Sequence, residues 1–258
     1  MKETILSARG LGYSVGPARL LRDVDLDASP GEVLAVVGQN GAGKSTLLKL
    51  LSGELTPTAG EVLVNGRALS GFVPHELALR RAVLPQQTIL QFAFKARDVV
   101  LMGRSPHLRG TWATLEDEEI AERSMCVTET ERFASRVYTS LSGGEQSRVN
   151  LARVLTQQAP ILLLDEPTSS LDLRHQELIM RTARALATDE GACVLAVLHD
   201  LNLAAAYSDR IAVLQDGALL TVGTPDEVLD SNLLSDAFDC PLEVICPPGG
   251  HRLVVPRR

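Results

Sequence analysis

One short run of residues constrains this chain more than any other. Gly38, Gln39, Asn40, Gly41, Ala42, Gly43, Lys44, Ser45 and Thr46 satisfy the pattern GxxxxGK[ST], which a chain of this composition would contain by chance about 0.003 times. An apolar run at 33–37 leads into it and a helical pattern at 44–52 leads out, the strand–loop–helix setting that such a loop needs. Glycine at 38, 41 and 43 lets the backbone turn tightly, so that successive N–H groups point inward at phosphate oxygens. The helix start adds the positive end of its dipole. Lys44 supplies a cation for the β- and γ-phosphates, and Ser45 a hydroxyl for Mg2+. The loop predicts a nucleotide site.

The surrounding pattern predicts the sheet that carries it. Apolar runs at 161–164 and 192–198 lack polar alternation, as suits parallel strands buried on both faces. Helical patterns at 173–187 and 200–206 follow them, so the fold class is α/β, a parallel sheet with helices on both faces. Asn65-Gly66, and Asp216-Gly217 between 211–214 and 218–222, are hairpin turns and add antiparallel strands. Thr224-Pro225-Asp226-Glu227 reads as a capped helix start. From about 91 to 140 the apolar strand runs stop, and 114–125 is acidic and helical in pattern, so this stretch reads as a helical insertion. The tail beyond Cys240 holds Pro241, Pro247, Pro248 and Pro256 and has no assigned role.

Composition narrows the classes further. With 45% hydrophobic and 22% charged residues over 258 positions, the chain has ordinary globular content for one or two domains. A net charge of −7 argues against a dedicated nucleic-acid binder. The longest apolar run, 192–198, is far short of the ~18 residues that cross a bilayer. Glu3, Thr4, Ser7 and Arg9 interrupt any secretory leader, so the expected compartment is the cytosol. Cys126, Cys193, Cys240 and Cys246 have no zinc spacing and are expected to be reduced thiols.

Several further groups sit where phosphate chemistry would need them. In Ile161-Leu-Leu-Leu-Asp165-Glu166, a buried strand ends in two carboxylates. Asp165 is placed to hold Mg2+ or its water, and Glu166 to orient or deprotonate an attacking water. Leu141-Ser142-Gly143-Gly144-Glu145 opens a helical pattern. Ser142 and Glu145 make a capping box that needs no ligand, yet two glycines sacrifice helix stability and expose N–H groups to an anion. His199 directly follows the apolar run 192–198, at the carboxyl end of a strand where ligands of open α/β sheets bind.

Taken together, GQNGAGKST (38–46), LPQ (84–86), LSGGE (141–145), ILLLDEP (161–167), SSLD (169–172) and LHD (198–200) resemble the ATP-binding subunits of ABC transporters over residues 1 to about 240. The resemblance implies a P-loop NTPase core with an antiparallel β subdomain and an inserted helical subdomain. It implies that 38–46 hold the phosphates of ATP and that Gln86 senses Mg2+ and the attacking water while coupling to a membrane partner. Ser45, Gln86 and Asp165 would attend the metal. Ser142, Gly143, Gly144 and Glu145 would contact ATP bound to a second copy. Glu166 would be the catalytic base, Asp172 part of the dimer-facing loop, and His199 the switch holding the γ-phosphate. The implied assembly is a head-to-tail homodimer on an integral membrane permease, at the cytoplasmic face of the cell membrane. An extracytoplasmic substrate-binding protein is an indirect partner, nucleic acid is not, and the permease is expected to dock near Gln86 and Met102. Where many relatives carry an adenine-stacking aromatic, this chain has Val15.

Finer similarity, in 94–107, 198–205 and 212–229, points to the importers of iron chelates, cobalamin and haem; RAVLPQ (81–86) and LDLRHQ (171–176) are most similar to the haem-import branch. Siderophore iron and cobalamin are the alternative cargoes. A DNA-repair ATPase of the same superfamily would need long coiled coils between Lys44 and Leu141, and no heptad run lies there. A GTPase would need an NKxD string, which is absent. A scaffold that only binds ATP would not need Lys44, Asp165, Glu166 and His199 together.

Overall fold

The chain opens with two long strands, β1 (Leu6–Val15) and β2 (Ala18–Ala28), before β3 (Glu32–Val37) delivers the glycine-rich loop to α1 (Lys44–Ser52). Then come β4 (Ala59–Val64), β5 (Arg67–Ala68), α2 (Pro74–Ala78) and β6 (Arg81–Leu84). A helical stretch follows, with α3 (Ala96–Leu101), α4 (Ser105–Leu108), α5 (Leu115–Val127) and α6 (Gly143–Thr156). The chain continues through β7 (Ile161–Asp165), α7 (Leu173–Glu190), β8 (Cys193–Val197), α8 (Leu201–Tyr207), β9 (Arg210–Gln215) and β10 (Ala218–Gly223). It finishes with α9 (Pro225–Val228), α10 (Ser231–Phe238), β11 (Leu242–Ile245) and β12 (Leu253–Pro256). The computed structural model describes residues 4–86, 88, 92–108, 110–169, 171–247 and 252–257. Gln87, Ser170, Pro248 and His251, and positions 91 and 109 of the expected helical insertion, lie outside the described residues.

Six strands form the central sheet in the order β10-β9-β3-β8-β7-β6. Parallel pairing links β9, β3, β8, β7 and β6 in turn, and β10 alone is antiparallel. Every residue of β3, β7 and β8 is buried, and alternate side chains feed opposite layers. Val33, Ala35, Leu162, Leu164, Val194 and Ala196 face the cluster that includes residues of α6, α7, α8 and α10. Leu34, Val36, Ile161, Leu163, Leu195 and Val197 face α1, β1 and β2. Each fully buried leucine here contributes about 2 kcal/mol, which is why the apolar runs were readable without alternation.

The second sheet is antiparallel, ordered β2-β1-β4-β5, and lies on the α1 side of the core. Its β4–β5 turn uses Asn65 and Gly66 at φ 49° and 73°; the β9–β10 turn uses Asp216 and Gly217 at φ 50° and 77°. Both are the left-handed pairs that match strand twist in a two-residue hairpin.

The helical stretch has its own small core, in which Val99, Val100, Met125, Phe133, Tyr138 and Val149 meet. Arg104 ties α5 to the end of α6 within it: its Nε donates to Asp117 Oδ1 at 2.8 Å and its Nη1 to the Thr156 carbonyl at 3.1 Å. No helix among the described residues is long and apolar enough to cross a membrane. All four cysteines are free thiols, with Cys193 buried and the other three exposed.

The described residues of the proline-containing tail include two strands. β11 and β12 pair antiparallel, with Val244 opposite Val254, and Val254 is buried in the central core.

Candidate active site

Parallel register brings the decisive groups to one edge. Val36 of β3 aligns with Val197 of β8, Val197 with Asp165 of β7, and Leu164 with Leu84 of β6. All four strands therefore end side by side, and the segments that follow them share one crevice.

From β3 comes the loop. Gly38 has φ 153°, and a Cβ there would collide with the Leu214 carbonyl oxygen; Gly43 has φ 101°, and its Cβ would lie 2.8 Å from the Leu20 carbonyl oxygen. Only glycine fits either place. Gln39 accepts from the Ala42 N–H at 3.2 Å, while Asn40 and Gly41 stand exposed at the tip and Thr46 lies half-buried in α1. Lys44 is buried, and its Nζ donates to the carbonyls of Gly38 and Gln39, each at 2.8 Å. Burial pushes its pKa down, against the opposing charges of Glu166 and Asp165.

From β7 come the carboxylates. Asp165 is buried and accepts from Ser45 Oγ at 3.1 Å. Burial pushes its pKa up, opposed by the Ser45 hydrogen bond. A buried carboxylate beside a hydroxyl is a hard-oxygen pair that suits Mg2+, whose charge would offset that desolvation. Glu166 sits at φ 50°, a left-handed conformation uncommon for this residue type. Its N–H donates to the Val197 carbonyl at 3.2 Å, and Ser169 donates twice to its carbonyl oxygen, from N at 3.1 Å and from Oγ at 2.9 Å.

Those bonds aim the Glu166 side chain between two partners. Gln86, after β6, donates from Nε2 to Oε2 at 2.7 Å. His199, after β8, places Nε2 2.6 Å from Oε1. The structure thus gathers Gly38 to Thr46, Gln86, Asp165, Glu166 and His199 at the same sheet edge.

It leaves the other expected site residues apart. Ser142 caps α6, its N–H donating to Glu145 Oε2 at 2.8 Å and its Oγ accepting from Glu145 N at 3.4 Å. The capping lowers the Glu145 pKa. Ser142 and Gly143 are exposed, and Gly144 abuts the Leu171 side chain. Asp172 caps α7, accepting from His175 N at 2.9 Å, with His175 Nδ1 at 2.7 Å. Among the described residues, neither group is hydrogen-bonded to residues 38–46. His107 Nε2 lies 2.8 Å from the Gln157 carbonyl oxygen. Sequence reasoning missed Ser169 and the Val197 carbonyl as supports of Glu166; no local pattern marks a backbone acceptor on another strand.

Known proteins share this arrangement. The family model described as ABC transporter matches residues 21–169. The hemin import ATP-binding protein HmuV of Streptomyces coelicolor is 51% identical over 257 residues, covering 99% of this chain and 91% of that protein. Among solved structures, an inward-facing metal-chelate type ABC transporter superposes with a TM-score of 0.84 at 29% identity, covering 99% of this chain and 98% of the other. A dimeric ATP-binding cassette in a post-hydrolysis state, bound to ADP and Pi, superposes with a TM-score of 0.79 at 30% identity, covering 86% and 99%.

Proposed function

Because this chain belongs to the ABC transporter family and is one of its ATPases, we propose that it hydrolyses ATP to drive hemin uptake through a membrane permease. Its full-length similarity to hemin import ATP-binding proteins supports that cargo. The observation that carries the chemistry is Glu166, gripped by Gln86 and His199 beside the phosphate loop.

The reaction follows from where the charges sit. Loop N–H groups and Lys44 take the phosphates of ATP, with Lys44 exchanging two carbonyl partners for phosphate oxygens. Mg2+, held by Ser45 and Asp165 with Gln86 attending, would neutralise charge between the β- and γ-phosphates. Glu166 orients a water and accepts its proton, a role worth roughly 10²–10⁴ in rate. His199 leaves Glu166 to hold a γ-phosphate oxygen. The outward-facing, capped start of α6, at Ser142 to Glu145, offers N–H groups to ATP carried by a second copy, and Asp172 lies on the same dimer-facing side. The working unit is therefore a head-to-tail homodimer in which ATP joins the halves and its cleavage releases them. The permease docks on the helical stretch near Gln86 and Met102, placing the ATPase at the cytoplasmic face of the cell membrane. A substrate-binding protein outside the membrane completes the importer, and residues 1–240 are the ATP-binding domain.

Growth on hemin as sole iron source tests the cargo. A deletion strain that fails on hemin and is rescued by the intact gene, but not by Glu166→Gln, supports the proposal. Normal growth of the deletion strain on hemin, with failure on siderophore iron or cobalamin, moves the cargo to that alternative.

A further inference from the structure

We propose that Asn202 is a positioning residue for hydrolysis: it fastens the C-terminal hairpin to α8 and so fixes where His199 points. The proposal rests on the reading of His199 as the group that meets the γ-phosphate.

The hairpin of β11 and β12 is held by side chains on both flanks. On one, the Val244 N–H donates to Ser231 Oγ of α10 at 2.9 Å. On the other, the Val254 N–H donates to Asn202 Oδ1 at 2.8 Å, and Asn202 Nδ2 donates to the Val254 carbonyl at 3.2 Å. The Asn202 carboxamide thus presents an acceptor and a donor to one residue, as a neighbouring strand would. Val254 is 7% exposed, and without Asn202 both its polar groups would be left unpaired in a mostly dry place. Arg252, just ahead of β12, ties it to α9 and the residue that follows α9, donating from Nη1 to the Leu229 carbonyl at 2.9 Å and placing Nε 2.9 Å from Asp226 Oδ1.

The helix needs this support. At 7 residues, α8 is too short to be stable by itself, so its placement depends on what it packs against. Leu201 and Ala204 are buried in the central core, and the Asn202 amide is gripped by β12. Ahead of them, Asp200 Oδ1 caps the helix, accepting from Asn202 N at 2.7 Å and Leu203 N at 3.2 Å. His199 immediately precedes this cap. A tilt of α8 therefore moves the imidazole relative to Glu166, 2.6 Å away, and misplacements near 1 Å can lower rates by about 10²-fold.

The test uses the full chain and follows phosphate release in steady state and in single turnover. Asn202→Ala is expected to lower kcat roughly 5–20-fold with KM for ATP within about twofold, since the phosphate loop is untouched. Ser231→Ala removes the Val244 hydrogen bond on the other flank, where Ser235 Oγ still accepts from the Leu242 N–H at 2.9 Å, and is expected to leave kcat within about twofold, although both variants melt earlier. In a His199→Ala chain, adding Asn202→Ala should change the single-turnover rate by less than about twofold. Asn202→Ser, which suits the first turn of a helix, is the second variant if the alanine chain does not fold, with the same expectation. Equal losses from the Ser231 and Asn202 variants, or the full Asn202 loss persisting without His199, would overturn the proposal. Wild-type turnover by His199→Ala alone would instead remove the role of His199, and this inference with it.

Discussion

Lys44 Nζ lies 2.8 Å from the carbonyl oxygen of Gly38, so the phosphate loop is already folded around its own cation. Truncating this side chain removes both the charge proposed to meet the phosphates and a strut of the loop. Lys44→Ala is expected to weaken ATP binding by about 10–150-fold, equivalent to the 1.5–3 kcal/mol typical of a charged hydrogen bond. Titration calorimetry reads the change directly. Unaltered affinity contradicts the placement of the phosphates on this loop.

Asp117 and Arg104, both buried, hold α5 against the end of α6. Hydrogen bonds from Thr114, then from Arg104, lower the Asp117 pKa from 3.8 to about 2. Its folded value lies below its unfolded one, so the linked stability, about 2 kcal/mol, is complete above pH 5. It is lost as pH falls through about 2, with roughly half gone at pH 3. Asp117→Asn leaves Arg104 a buried cation without its counter-charge and is expected to cost about 3 kcal/mol at neutral pH. Urea unfolding should show the gap to wild type narrowing towards pH 3; a gap independent of pH contradicts this account.

The thiols should separate by burial. The Cys193 thiol is pushed up to about 12 by burial, whereas Cys126, Cys240 and Cys246 are exposed. A disulfide reagent at pH 8 should label these three in the native protein and Cys193 only after unfolding. Cys126 should be the slowest of the three, because the nearby Glu131 charge raises its pKa. Rapid labelling of Cys193 would mean that β8 opens at the sheet centre.

Much of this molecule was legible in its sequence, because the relevant forces are local there. The expected helix 44–52 matches α1, since a glycine-rich turn, leucines at helical spacing and the closing Gly53 mark both ends. The runs at 161–164 and 192–198 became β7 and β8, where burial on both faces removes polar alternation. What stayed hidden is set by partners distant in the chain. Nothing near β11 and β12 announces a hairpin, because Ser231 and Asn202 satisfy its flanks. The same holds for the grip on Glu166: Gln86 and His199 could each be placed at a strand end, but their meeting on one carboxylate depends on the strand order β8-β7-β6.

The most direct test is the mass of Glu166→Gln in solution, measured by light scattering with saturating Mg·ATP, alone and with its permease. This exchange removes the proposed proton acceptor while leaving the loop and both hydrogen-bonding neighbours in place, so ATP should bind and persist. The account predicts particles of twice the 27.7 kDa chain mass with ATP that revert to single chains when ADP replaces it, together with turnover reduced by about 10²–10⁴-fold. Particles that stay at 27.7 kDa with ATP and show no nucleotide-driven pairing on the permease would contradict it.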